Sequence, residues 1–200
     1  FVELYCQGSK KADNEEQCGT LLKIQRDIER LRAEKLVEAA DKGGPDAIAQ
    51  YTKAANQYME LWEKYGREPC EAGKKDQCAR NEEILYNAAR AYQAARLLAR
   101  AIAVRKILID PKYNLNDTEV ARKAMYEIGG NYQAIAVYDE AARWYERFAE
   151  QNPKMPQAPQ ALQDATVLRL GLGQEDQAIK NSDLFNRNYG QKQPAESAQI

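Results

Sequence analysis

The sequence contains no histidine. Histidine is the most frequent general acid–base near neutral pH and a frequent metal ligand, so acid–base and metal chemistry would both have to come from other residues. Charge of one sign is also missing: 29 Lys and Arg face 30 Asp and Glu, a formal net charge of −1. Nucleic-acid binders rely on a basic surplus, as do basic helices lying on membranes, and neither class is expected here. No apolar run approaches the roughly 18 residues that would cross a bilayer. Glycine-rich phosphate loops are absent too. Gly8-Ser9-Lys10-Lys11 and Gly73-Lys74-Lys75 lack the P-loop framework and read as solvated loops. The acidic pairs Glu15-Glu16 and Glu82-Glu83 fall where helices begin, and negative charge is favourable there. No catalytic residue, cofactor or metal is therefore expected.

Cysteine is scarce, and its placement is informative. Cys6 and Cys18 form one local pair and Cys70 and Cys78 another, each flanking a polar loop. Short-range disulfides are the natural reading, worth roughly 2.5–3 kcal/mol each in the chain-entropy picture. Free thiols and a zinc site are the alternatives, and the zinc reading suffers from the spacing and the missing histidine. Disulfides persist in oxidising compartments, which points to a periplasmic, envelope-associated or secreted setting. The chain opens on Phe1 and ends in a polar tail, Gln191 to Ile200, and reads as a piece of a longer protein.

What the sequence does have is helical periodicity. Tyr51, Ala54, Ala55, Tyr58, Leu61, Trp62 and Tyr65 fall on one helical stripe, and Tyr138, Ala141, Ala142, Tyr145, Phe148 and Ala149 repeat it 87 residues later. Gly43-Gly44-Pro45, Gly66 to Cys70, Asp110-Pro111, Asn152-Pro153 and Gly171 with Gly173 interrupt the pattern. Glycine past a helix end and proline near a start or stop suit the backbone there. Asn116-Asp117-Thr118-Glu119 offers N-cap and capping-box chemistry; the same residues match a glycosylation sequon, but a cap is the simpler reading. Eight helices follow, over about 20–41, 46–65, 80–95, 97–109, 118–133, 138–151, 157–171 and 175–189. The expected division is a disulfide-closed leading segment over 1–20, a helical repeat domain over 21–190 with a Cys70–Cys78 loop insertion, and a polar tail over 191–200.

The segment 125–153 is more specific. Ile128-Gly129, Tyr132, Tyr138, Ala141, Tyr145, Phe148 and Pro153 resemble the tetratricopeptide consensus. The equivalent alanines Ala54, Ala101, Ala141 and Ala178 lie 47, 40 and 37 residues apart, longer than the family's usual period of about 34. Arg105 and Ser182 stand where an aromatic is usual, and the first hairpin keeps only its second helix in register. Such an irregular array is similar to the bacterial envelope members of the family, among them the outer-membrane β-barrel assembly lipoprotein and the periplasmic cell-division coordinators. The resemblance implies an all-α, right-handed superhelical array of about four helix hairpins. It also implies a concave groove lined by the first helix of each hairpin. That places Glu83, Tyr86, Arg90 and Gln93, then Lys123, Tyr126 and Gln133, then Gln160 and Gln163 on the groove.

The function this implies is a non-catalytic protein–protein interaction scaffold of the cell envelope, periplasmic or outer-membrane associated, holding a partner peptide or helix. The alternative is a self-assembling or accessory helical domain of a larger envelope protein or cell-wall enzyme. Neither nucleic acid nor membrane insertion of this segment is expected. Gly129 and Ala141 are expected at close helix contacts, and Tyr126 is expected to be dispensable for folding.

Overall fold

The computed structural model describes Cys6, residues 15–66 and residues 80–191. Among them every regular element is helical: α1 (Glu15–Asp41), α2 (Ala47–Leu61), α3 (Asn81–Ala94), α4 (Leu98–Leu108), α5 (Glu119–Ala134), α6 (Tyr138–Gln151), α7 (Ala158–Gly171) and α8 (Glu175–Tyr189). A π turn over Trp62–Gly66 extends α2, and a short 3₁₀ turn over Pro111–Tyr113 precedes α5. Each α-helix packs on its chain neighbours, and α3 also packs on α5. The core accordingly runs along the stack in two consecutive sections, one centred on α2 to α4 and one on α5 to α8. Alanine makes this close packing possible. Ala54, Ala88, Ala101, Ala141 and Ala161 have no exposed surface, so small side chains are enclosed where helices pack.

Helix limits follow local chemistry. At the start of α5 the Thr118 hydroxyl accepts a hydrogen bond from Ala121 N–H at 3.2 Å, the N-cap expected from the sequence. The reciprocal half of a capping box does not form, because the third helical position holds Ala121 and not a glutamate. The first helix begins at Glu15, earlier than its periodicity predicts, so Cys18 lies within it and bridges to Cys6 across 5.4 Å between Cα atoms. Cys70 and Cys78 fall outside the described residues, as do most of the leading segment and the tail beyond Gln191.

One turn recurs. Arg96, Ala136 and Gly173 each follow the first helix of a hairpin with φ of 62°, 60° and 70°. In each case the next residue donates its N–H back to a carbonyl five residues earlier: Leu97 to Tyr92, Val137 to Tyr132 and Gln174 to Arg169, at 2.8–2.9 Å. This is a Schellman closure, which satisfies carbonyls left open at a helix C-terminus. The three turns are separated by 40 and 37 residues, the same intervals as the repeating alanines. The first hairpin turns differently, through Gly43 and Gly44 with φ of 79° and 111°.

Candidate functional site

The recurring turn supplies a register for comparing hairpins. Tyr86 on α3, Tyr126 on α5 and Gln163 on α7 stand at the same 40- and 37-residue intervals and so occupy equivalent positions. So do Asn87, Glu127 and Asp164, one residue further along. The acids at two of these positions were not singled out from the sequence, although the repeat interval would have found them.

Several expected groove side chains are committed to the protein itself. The Tyr86 hydroxyl donates to Glu127 at 2.9 Å, and Gln93 accepts from Arg105 at 2.8 Å and from Asn131 at 3.1 Å. Arg105 is the hub of this network. Only 1% exposed, it also donates to Glu127 at 2.8 Å and to Asn131 at 2.6 Å. A guanidinium so enclosed is tolerable because its donors are met by a carboxylate and two amides, which offset the cost of removing the charge from water. Burial and the neighbouring Glu127 raise the pKa of Tyr86, which keeps it a neutral donor.

Tyr126 departs from the sequence expectation. Its ring lies 5.4 Å from that of Tyr145 and 5.3 Å from that of Phe148, half-buried against the second core section. It is a packing residue, so its removal should not be neutral for folding. Gln133 accepts the Tyr145 hydroxyl at 2.8 Å, and Gln160 donates to Asp164 at 2.9 Å. Burial raises Asp164 above the usual carboxylate range, with the Gln160 hydrogen bond opposing. Glu83 pairs loosely with Arg80 at 3.5 Å, and Lys123 with Glu119 at 2.8 Å on the exposed face of α5. Arg90 and Gln163 are the least committed. Arg90 is exposed and rests over the Tyr86 ring at 5.9 Å, while Gln163 makes no hydrogen bond among the described residues.

A concavity lies beside the first hairpin. A cavity of about 510 Å³ opens between α1, α2 and α3. Its α1 wall carries Glu34, Glu38 and Asp41, its base carries Tyr51 and Tyr58, and Asn87 and Arg90 stand on the α3 wall. The sequence register missed the α1 wall because the first hairpin turns differently from the others. Tyr58 is pushed up to about 12 by burial, then by the Glu34 charge, with Arg30 opposing, so its hydroxyl stays protonated. The described residues include no group of three or more Cys, Asp or Glu side chains able to hold a metal. Nor do they include a helix long and apolar enough to cross a membrane.

No protein-family model matches this chain, and no curated protein matches it in sequence.

Proposed function

We propose that the chain is a protein–protein interaction scaffold of the bacterial cell envelope and has no catalytic role. Its tetratricopeptide-like hairpins would wind into a right-handed superhelical array and hold a partner peptide or helix in the concave groove. The observation that carries this reading is the repeat: one turn and the alanines Ala101, Ala141 and Ala178 recur at 40 and 37 residues. Equivalent residues of α3, α5 and α7 would then form a row, and the packing of α3 on α5 supports its first step. Repeats that meet only their neighbours form extended surfaces suited to linear partners. The exposed Arg90, together with amide groups and half-buried aromatics, supplies adaptable contacts along it. The Cys6–Cys18 disulfide supports an oxidising location, for which the periplasm is the proposal.

The test is a crosslinked pull-down from envelope extract that compares the wild-type chain with an Arg90→Ala, Lys123→Ala, Gln163→Ala variant. These three side chains have the fewest ties to the core, so the variant should fold normally. A partner lost with the variant supports the groove; the same partners on both proteins, or none on either, count against it.

A second reading has its own observation. Val167, Leu170 and Ile179 are more than half exposed on the last hairpin, where no further helix follows among the described residues. Apolar groups at the end of a stack favour continuation onto another domain or another copy. Self-association that Val167→Ser and Leu170→Ser abolish would support it, and a chain monomeric at high concentration would argue against association between copies.

A further inference from the structure

We propose that the cavity between α1 and α3 is a recognition pocket for a cationic side chain, lysine or arginine, carried by an extended partner peptide. The inference deepens the scaffold reading and rests on it. At about 510 Å³ the cavity falls within the roughly 300–1,000 Å³ typical of ligand pockets.

Its walls are electrostatically uneven. Glu34, Glu38 and Asp41 succeed one another at four- and three-residue steps, which puts three carboxylates on one face of α1. Among the described residues Glu34 alone of the three has a cationic partner, Arg30 at 2.8 Å. Asp41 accepts one hydrogen bond, from the Tyr51 hydroxyl at 2.5 Å, and Glu38 has no ion pair among the described residues. Like charges spaced this way repel, and a cation placed between Glu38 and Asp41 relieves the repulsion.

A second observation is independent of the acids. Tyr58 is only 2% exposed, lines the cavity and has no hydrogen-bond partner for its hydroxyl among the described residues. The hydroxyl is not itself fully enclosed, so in this concave wall it is accessible to an incoming group. Its oxygen lone pairs suit an N–H donor, which an ammonium or a guanidinium supplies. Across the cavity Arg90 repels a second positive charge and directs the ligand cation to the α1 side. A lysine or arginine stem would then lie along the Tyr51 ring, with its head at the carboxylates.

The probe is capped tetralysine, titrated into the isotope-labelled chain at physiological salt and read from backbone amide shifts. Saturable binding is expected, with shifts clustered at 34–41 and 87–91, while capped tetraglutamate leaves those residues unmoved. Glu38→Gln with Asp41→Asn should weaken the affinity by about tenfold through loss of charge-assisted contacts. Glu38→Gln alone, at a side chain without an ion pair, guards against a folding artefact, and Tyr58→Phe should weaken binding by about threefold with the ring retained. Unchanged affinity in the double variant, shifts spread over acids elsewhere, or no saturable binding would overturn the proposal. Spermidine binding more tightly than tetralysine would assign the pocket to a free polyamine, and a dimer dissolved by the double variant would assign it to a second copy; each outcome overturns the peptide assignment. If an envelope partner is lost with the Arg90, Lys123, Gln163 variant but kept by Glu38→Gln/Asp41→Asn, the scaffold stands and the cationic pocket falls.

Discussion

Gly129 and Gly130 are neighbours in the interior of α5, yet replacing each with alanine should move stability in opposite directions. A Cβ at Gly129 would stand 2.7 Å from two ring carbons of Tyr145. Carbon atoms prefer about 3.5–4.0 Å, so the overlap is about 0.8 Å or more. The ring cannot swing aside cheaply, because Tyr145 is buried, touches Tyr126 and holds Gln133 through its hydroxyl at 2.8 Å. Overpacking of this kind costs about 1–3 kcal/mol, and the better helix propensity of alanine returns about 0.8–1.0 kcal/mol. With weakening of the Gln133 hydrogen bond included, Gly129→Ala should be destabilised by about 1–2 kcal/mol. At Gly130 the nearest atom to the new Cβ is the Tyr145 hydroxyl at 3.6 Å, an ordinary contact. There only the propensity gain remains, and Gly130→Ala should be stabilised by about 0.5–1 kcal/mol. Thermal unfolding by circular dichroism should separate the two variants by about 4–10 °C for a chain of this size. A Gly129→Ala protein as stable as Gly130→Ala would refute the close helix approach.

Arg105→Met should destabilise by about 2–4 kcal/mol in chemical denaturation, because Glu127 and Asn131 lose their buried partner; adding Glu127→Gln should recover part of the loss. Ala136→Gly should raise Tm by about 1–2 °C: the native φ of 60° strains an L-residue by about 1–2 kcal/mol, and the greater freedom of glycine when unfolded cancels part of the relief. Asp164 is raised by burial, so the folded state holds its proton more firmly than the unfolded state does, and its contribution to stability falls as pH rises above the usual carboxylate value of about 4. Asp164→Asn should therefore melt higher than wild type at pH 7, and a difference that fails to shrink on acidification would contradict the assignment.

The helices were legible because their signals are local. Apolar spacing marked their faces, and Asp110-Pro111, Asn152-Pro153 and Gly173 marked their ends. The turns at Arg96 and Ala136 were not legible as left-handed positions, since neither residue is a glycine and the conformation is held by hydrogen bonds from Leu97 and Val137. The surroundings of the expected groove residues were not legible. Sequence proposed Tyr86, Gln93 and Gln133 for a groove, but only coordinates reveal that each is tied to the core, because their partners lie 12 to 41 residues away. Arg105 was recognised as a departure from the expected aromatic, yet a single charged residue on an apolar stripe does not announce the glutamate and amides that enclose it.

The same position within each hairpin connects these observations to the cavity. Tyr58, Arg105, Tyr145 and Ser182 each lie four residues after a repeating alanine. Two of them reach back twelve residues to a glutamine on the first helix of their own hairpin: Arg105 to Gln93 and Tyr145 to Gln133, both at 2.8 Å. The chemistry differs, guanidinium in one case and hydroxyl in the other, but the geometry is shared, and both close the space between the two helices. Twelve residues before Tyr58 stands Asp46, which precedes α2 instead of lying on the first helix, because α1 has already ended and the chain has turned through Gly43 and Gly44. The glutamine that serves Arg105 and Tyr145 has no counterpart twelve residues before Tyr58. Its hydroxyl is left facing the space between α1 and α3, where the carboxylates of α1 form the remaining wall. The irregular first hairpin is thus the physical reason for the pocket. Altering the Gly43-Gly44 turn to restore the later register should close the cavity and leave the three following hairpins intact, since each packs mainly on its neighbours.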